Sequence, residues 1–160
     1  TIVEFGDFQC PFCGKFFRET EPQIIDRYVK TGRAKLVYRD YAFLGRESED
    51  AAMAAECAKE QGKFWEFHNY LYSHQRGENG GAFSKDNLKI FARELNLETE
   101  QFNACLDSNR HLSEIRKDKS DGNKLGVNGT PAVFINGRLV PGGAAPFEEF
   151  AAIIEEELNK

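Results

Sequence analysis

No apolar stretch comes near the roughly 18 residues that a membrane-spanning helix needs, which excludes a membrane-embedded chain. Positive charge is also short. Twenty-one Lys and Arg stand against 26 Asp and Glu, a formal charge of −5 with a pI near 5.3, which speaks against nucleic acid as a partner and against a polybasic membrane anchor. There is no internal repeat and no low-complexity tract, and the three histidines show no His-x-x-x-His ligand spacing. Thr1-Ile2-Val3-Glu4-Phe5 has neither a basic n-region nor an apolar h-region, so no targeting segment is visible. Because the chain begins at Thr1, we expect an upstream piece, a signal peptide or a boundary segment, to have been removed. What remains is 160 residues, 41% apolar and 29% charged, the size and composition of one soluble domain with a sizeable core.

Ile2 to Phe5 reads as a buried strand closed by Gly6-Asp7, and Cys10-Pro11-Phe12-Cys13 leads into a helical pattern carrying Phe16, Phe17, Ile24, Ile25 and Tyr28. Pro22 should kink or split that helix and Gly32 should end it. Ala34 to Phe43 reads as a second strand, which gives a β-α-β unit with parallel strands. From Ser48 to about Leu125 the period is helical. Ser48 is the expected N-cap of the first of these helices and Gly62 its end; a later helix starts at Ser84, Thr99 or a neighbour caps another, and Ser108 is the expected cap of a segment holding Leu112 and Ile115. The β signal returns as Ala132 to Ile135, an Asn136-Gly137 turn of type I′, and Arg138 to Val140. Pro146 fits N1 of a closing helix with Phe147, Phe150, Ile154 and Leu158 on one face. The fold class is α/β: residues 1–47 and 126–160 form one domain of β-α-β and β-β-α halves, and residues 48–125 form an inserted helical subdomain.

The strongest chemical signal is Cys10-x-x-Cys13 at a helix start in a β-α-β context. Unpaired helix N–H groups and the helix dipole stabilise a thiolate there, so Cys10 is the expected reactive sulfur and Cys13 its partner. Pro11 suits N1 because it has no N–H to leave unpaired. A Cys10 pKa lowered from about 8.5 to about 4 would favour the reduced form by roughly 4 kcal/mol at pH 7 and raise the two-electron potential by roughly 90 mV. Zinc is the bland alternative for this pair. It normally needs four ligands, and Cys57, Cys105, His68, His74 and His111 supply no second closely spaced pair, so we assign no metal. Cys57 and Cys105 fall in separate helices, and the even cysteine count permits a second, structural bridge between them; two buried free thiols are the alternative. Such a bridge would indicate an oxidising compartment. Trp65, Phe67, Tyr70 and Tyr72 have the spacing of core packing, and His68 reads as a core-edge residue.

Two separated motifs, Glu4-Phe5-Gly6-Asp7-Phe8-Gln9-Cys10-Pro11-Phe12-Cys13 and Gly126-Val127-Asn128-Gly129-Thr130-Pro131-Ala132-Val133-Phe134-Ile135-Asn136-Gly137, lie at matching topological places. With the helical insert between them, the chain resembles the DsbA-like thiol-disulfide oxidoreductases along its whole length. That resemblance implies a thioredoxin fold and a cis peptide bond before Pro131, whose loop would expose Thr130 backbone groups to an extended substrate. It implies a buried acid/base role for Glu4, with Asp7 a weaker candidate. It further implies an extracytoplasmic or periplasmic dithiol oxidase that acts on reduced, folding proteins without a cofactor. A membrane-embedded partner resembling DsbB or a vitamin K epoxide reductase homologue would reoxidise it. The dipeptide Pro11-Phe12 lacks the histidine of the best-known oxidases; Lys15 and Arg18 either compensate or are solvated helix-face charges. A reductase or isomerase using the same residues is the enzymatic alternative and a zinc-knuckle binding module the non-enzymatic one. With no heptad seam, we expect a monomer.

Overall fold

The computed structural model describes residues 1–160. β1 (Ile2–Gly6) and β2 (Leu36–Asp40) pair in parallel, Ile2 opposite Leu36. Between them run α1 (Pro11–Glu19) and α2 (Glu21–Ile24), the latter continuing into a π-helical turn over Ile25–Val29. Pro22 occupies the first turn of α2, so the helical pattern divides where a proline cannot donate. β3 (Ala132–Ile135) runs antiparallel to β1 and to β4 (Arg138–Leu139), giving the order β2-β1-β3-β4. Asn136 and Gly137 both have positive φ, 48° and 82°, as a type I′ turn requires. α8 (Phe147–Leu158) closes the chain.

The period of two along the strands sorts side chains onto two faces. Ile2, Val133 and Ile135 pack with Phe16, Ile24, Tyr28, Phe150 and Ile154 on one side, while Phe5, Ala132 and Phe134 pack with Tyr41 and Val127 on the other. Glu4 shares the face of Ile2, toward α1 and α2.

Five helices lie between β2 and β3: α3 (Arg46–Lys59), α4 (Phe64–Ser73), α5 (Lys85–Glu94), α6 (Thr99–Ser108) and α7 (Leu112–Lys124). Ala51, Ala54, Ala55 and Ala58 let α3 approach its neighbours, and its core is continuous with Phe8, Cys10 and Cys13. No helix is long and apolar enough to cross a membrane.

Several local expectations shift. α3 starts at Arg46 after Gly45, and Ser48 is not its cap; it is buried and donates to Asp7 Oδ1 at 2.6 Å. Phe43 and Leu44 also donate to Asp7, which ends the second strand at Asp40 instead of Phe43. Ser108 closes α6 and bonds back to the Cys105 carbonyl, and α7 is capped at His111. Pro146 is the N-cap of α8 rather than N1. Ser48, Phe43 and Leu44 are held by tertiary hydrogen bonds to Asp7, Ser108 by a local bond within α6, and Pro146 is displaced by one residue. Ser84 does cap α5, accepting from Asn87 N–H, and Glu98, the neighbour of Thr99, caps α6.

Candidate active site

Cys10 caps α1 from an extended conformation, and its side chain makes no cap bond. The N–H groups of Phe12 and Cys13 therefore serve its sulfur instead of helical carbonyls. Both Cys10 and Cys13 are free thiols. The Cys10 pKa is lowered to about 6, chiefly by the hydrogen bond from the Cys13 thiol, against the cost of burial and with help from Thr130 and the two backbone N–H groups. Cys13 is fully buried and pushed well above the ordinary thiol range, first by burial, then by its bond to Cys10 and by the charge of Glu4. The sulfurs are unequal by placement: one faces the helix N-terminus, the other the core.

Opposite them the Thr130-Pro131 bond is cis. The Cys10 thiol donates to the Thr130 carbonyl at 3.5 Å. Thr130 Oγ1 is buried with no hydrogen-bond partner, which leaves its hydroxyl available to a thiolate that can no longer donate. Beside this loop lies a groove of about 280 Å³ lined by Gly126 to Ala132 and Leu139 to Gly143. Phe12, between the cysteines, is 64% exposed.

Beneath the cysteines Glu4 is buried on a central strand, not an exposed edge. Burial raises its pKa well above the carboxylate range, reinforced by Glu21 and then Cys10. Glu21 is likewise raised by burial, to about 8, and burial lowers His68 to about 4. Polar atoms of the three lie within 4.8 Å of one another, and Glu4 Oε1, Glu21 Oε2 and His68 Nε2 have no hydrogen-bond partner. Burial thus favours the neutral form of all three groups. Sequence reasoning missed Glu21 and placed His68 only at the core edge; it is fully buried. The signal was available: Glu21 interrupts the apolar stripe Phe17, Glu21, Ile24, and His68 the stripe Phe64, His68, Tyr72.

Other candidates fall outside. Asp7 uses both oxygens on Gln9, Phe43, Leu44 and Ser48, a structural clasp with no capacity left for acid/base work. Lys15 and Arg18 are exposed on α1 and are not among the groups shifting Cys10. Trp65 is 39% exposed and Tyr70 only half-buried, whereas Phe67 and Tyr72 are core. Gln75, just past α4, was not anticipated: its Nε2 donates to the carbonyls of Phe8 and Cys10 at 2.8 and 2.9 Å. A Cβ at Gly14 would collide with Gln75, so glycine is needed for this close approach. Cys57 and Cys105 are joined as a disulfide. Cys10 and Cys13 take part in none of the groups of three or more potential metal ligands that the fold assembles.

Residues 1–156 match the family model described as Thioredoxin. The chain is 31% identical to the probable disulfide bond formation protein D of Bacillus anthracis, over 99% of this chain and 74% of that one. Crystalline oxidised BdbD from Bacillus subtilis superposes with a TM-score of 0.91 at 28% identity, covering 99% of this chain and 87% of that one. A thioredoxin-like oxidoreductase from Silicibacter pomeroyi gives 0.83 at 30% identity, covering 99% and 86%. With unequal cysteines at a helix start facing a cis-proline loop, the chain belongs to the thioredoxin family and, within it, to the DsbA-like thiol-disulfide oxidoreductases.

Proposed function

We propose that the chain is a dithiol oxidase that passes a Cys10-Cys13 disulfide to reduced proteins in an extracytoplasmic compartment. The observation that carries this reading is the opposed acidity of the two sulfurs, about 6 for Cys10 and far above the ordinary range for Cys13. A substrate thiolate attacks Cys10 Sγ, the Cys10-Cys13 bond breaks, and Cys13 leaves with the electron pair and takes a proton. Glu4, buried and protonated beneath it, is the proposed donor. A second substrate thiolate then attacks the substrate sulfur of the mixed disulfide and releases Cys10 as the stabilised thiolate. The substrate loses two electrons and the pair gains them. Thr130 and Pro131 with the adjoining groove are the proposed seat for an extended substrate segment, and Pro11 and Phe12 the dipeptide between the sulfurs.

The Cys57-Cys105 bridge supports an oxidising location, which we take to be periplasmic or its equivalent, with the protein acting as a monomer. Reoxidation of the pair then falls to a membrane-embedded DsbB-like or vitamin K epoxide reductase-like partner. Residues 1–47 with 126–160 and residues 48–125 are the proposed domain and inserted subdomain.

A reductase or isomerase is favoured by one observation, a Cys10 pKa of about 6 instead of about 4. Against a free thiol near 8.5, it raises the potential at pH 7 by only about 30 mV, or about 1.4 kcal/mol, because a pKa of about 6 lies just one unit below that pH. The test is equilibration in graded glutathione buffers, acid quench, alkylation and peptide mass analysis of Cys10 and Cys13. A potential near about −120 mV supports the oxidase, about −180 mV an isomerase, and about −270 mV a reductase.

A further inference from the structure

The long separation of Cys57 and Cys105 hides a cluster that the fold assembles. Cys57 lies in α3 and Cys105 in α6, Glu60 is the C-cap of α3, and His111 is the N-cap of α7. The two Sγ atoms, a Glu60 carboxylate oxygen and a His111 ring nitrogen lie within 4.8 Å of one another. Glu60 Oε2 sits 2.9 Å from Cys105 Sγ and 2.7 Å from His111 Nε2. Two sulfurs, an imidazole and a carboxylate make the ligand number and type of a tetrahedral zinc site.

A second observation concerns orientation. His111 Nδ1 lies 2.8 Å from Glu114 Oε2 while Nε2 faces the cluster. A carboxylate on the far ring nitrogen is what fixes the tautomer and ring angle of a metal-bound histidine. Arg110 donates to Glu60 Oε1, which leaves Oε2 turned toward the sulfurs and sets a positive charge beside the cluster. Both sulfurs are buried, whereas Glu60 and His111 reach partly exposed surface, so the cluster has ligands, an outer shell and an entry side.

We propose that reduction of the Cys57-Cys105 bridge converts this corner of the helical block into a zinc site with Cys57, Glu60, Cys105 and His111 as its four ligands. A phosphine reductant supplies the two electrons: the S–S bond breaks, both sulfurs take protons from one water, and the phosphine keeps that water's oxygen as its oxide. Zn²⁺ then displaces the two thiol protons and any proton on His111 Nε2. Two thiolates and a carboxylate leave the centre with one net negative charge, which faces Arg110. The same residues would tie α3, α6 and the start of α7 together covalently when oxidised and through a metal when reduced.

The test uses the full chain carrying Cys10→Ser and Cys13→Ser, so that only Cys57 and Cys105 contribute thiols. The protein is reduced with a phosphine without oxygen, desalted, and titrated with zinc chloride against a chromophoric chelator and, in parallel, with cobalt chloride. We expect one zinc retained per reduced chain and none by the oxidised chain, with thiolate charge-transfer and intense tetrahedral bands for cobalt. Glu114→Gln should weaken zinc binding about 10- to 100-fold, and Glu60→Gln and His111→Ala at least as much. Circular dichroism of each oxidised variant reports folding separately. A reduced chain that retains no zinc overturns the proposal. So does affinity unchanged in both His111→Ala and Glu60→Gln, since thiols alone would then account for the binding.

Discussion

Four cysteines form two pairs with the same chemistry and opposite surroundings. Cys10 and Cys13 are three residues apart, free, and held at a helix start where N–H groups and the Thr130 hydroxyl face one sulfur. Cys57 and Cys105 are 48 apart, bridged, and enclosed among helices. Reactivity therefore belongs to the surroundings of a thiol: N–H groups without helical partners make one pair labile, and a long closed loop makes the other a staple.

The largest effect is expected from Cys10→Ala. It should lower dithiol exchange by at least about a thousandfold, measured by reduced-substrate refolding, while leaving thermal stability nearly unchanged. The mirror experiment is Cys57→Ala with Cys105→Ala. Loss of the bridge should cost about 4 kcal/mol by the loop-entropy relation, read from denaturant unfolding, with exchange rates within about twofold of the parent. If the two variants exchanged phenotypes, the assignment of labile and structural pairs would be reversed.

Glu4→Gln sharpens the contrast within the labile pair. Removing the proposed proton donor should slow the step that frees Cys13 by the order of 100-fold, followed in stopped flow, and leave alkylation of Cys10 unaffected.

A smaller effect concerns Glu21, whose pKa rises to about 8 in the fold. Between its ordinary value near 4.5 and 8 the native state binds more protons than the unfolded one, so stability falls as pH rises through that window. Glu21→Gln should flatten that part of the stability profile, raising stability at pH 8 and leaving it unchanged at pH 4. A profile that keeps its slope would place the proton elsewhere in the cluster.

Much of this was legible in the residues. Alternating strands, Pro22, Asn136-Gly137 and the cysteine spacing each announce a local rule, and the Thr130-Pro131 motif lies 120 residues from Cys10 yet is recognisable by its own pattern. What could not be read is what only three dimensions bring together. Ser48 looks like a cap because nothing local reveals that Asp7 will claim its hydroxyl. Glu21 of α2 and His68 of α4 visibly interrupt apolar stripes, but their meeting with Glu4 of β1 is set only by the fold. His111 reaches Cys57 and Cys105 by topology, so no spacing rule could have gathered those ligands.

Gln75 gives the helical block a mechanical meaning. One amide grips two carbonyls of the Phe8 to Cys10 turn from 67 and 65 residues away, and Asp7 clasps the same turn to Ser48, 41 residues on. The turn that presents the reactive sulfur is thus clamped by the insertion as a vice holds a workpiece. Whatever displaces the Gln75 amide or the Ser48 hydroxyl reaches the sulfur as a change of aim.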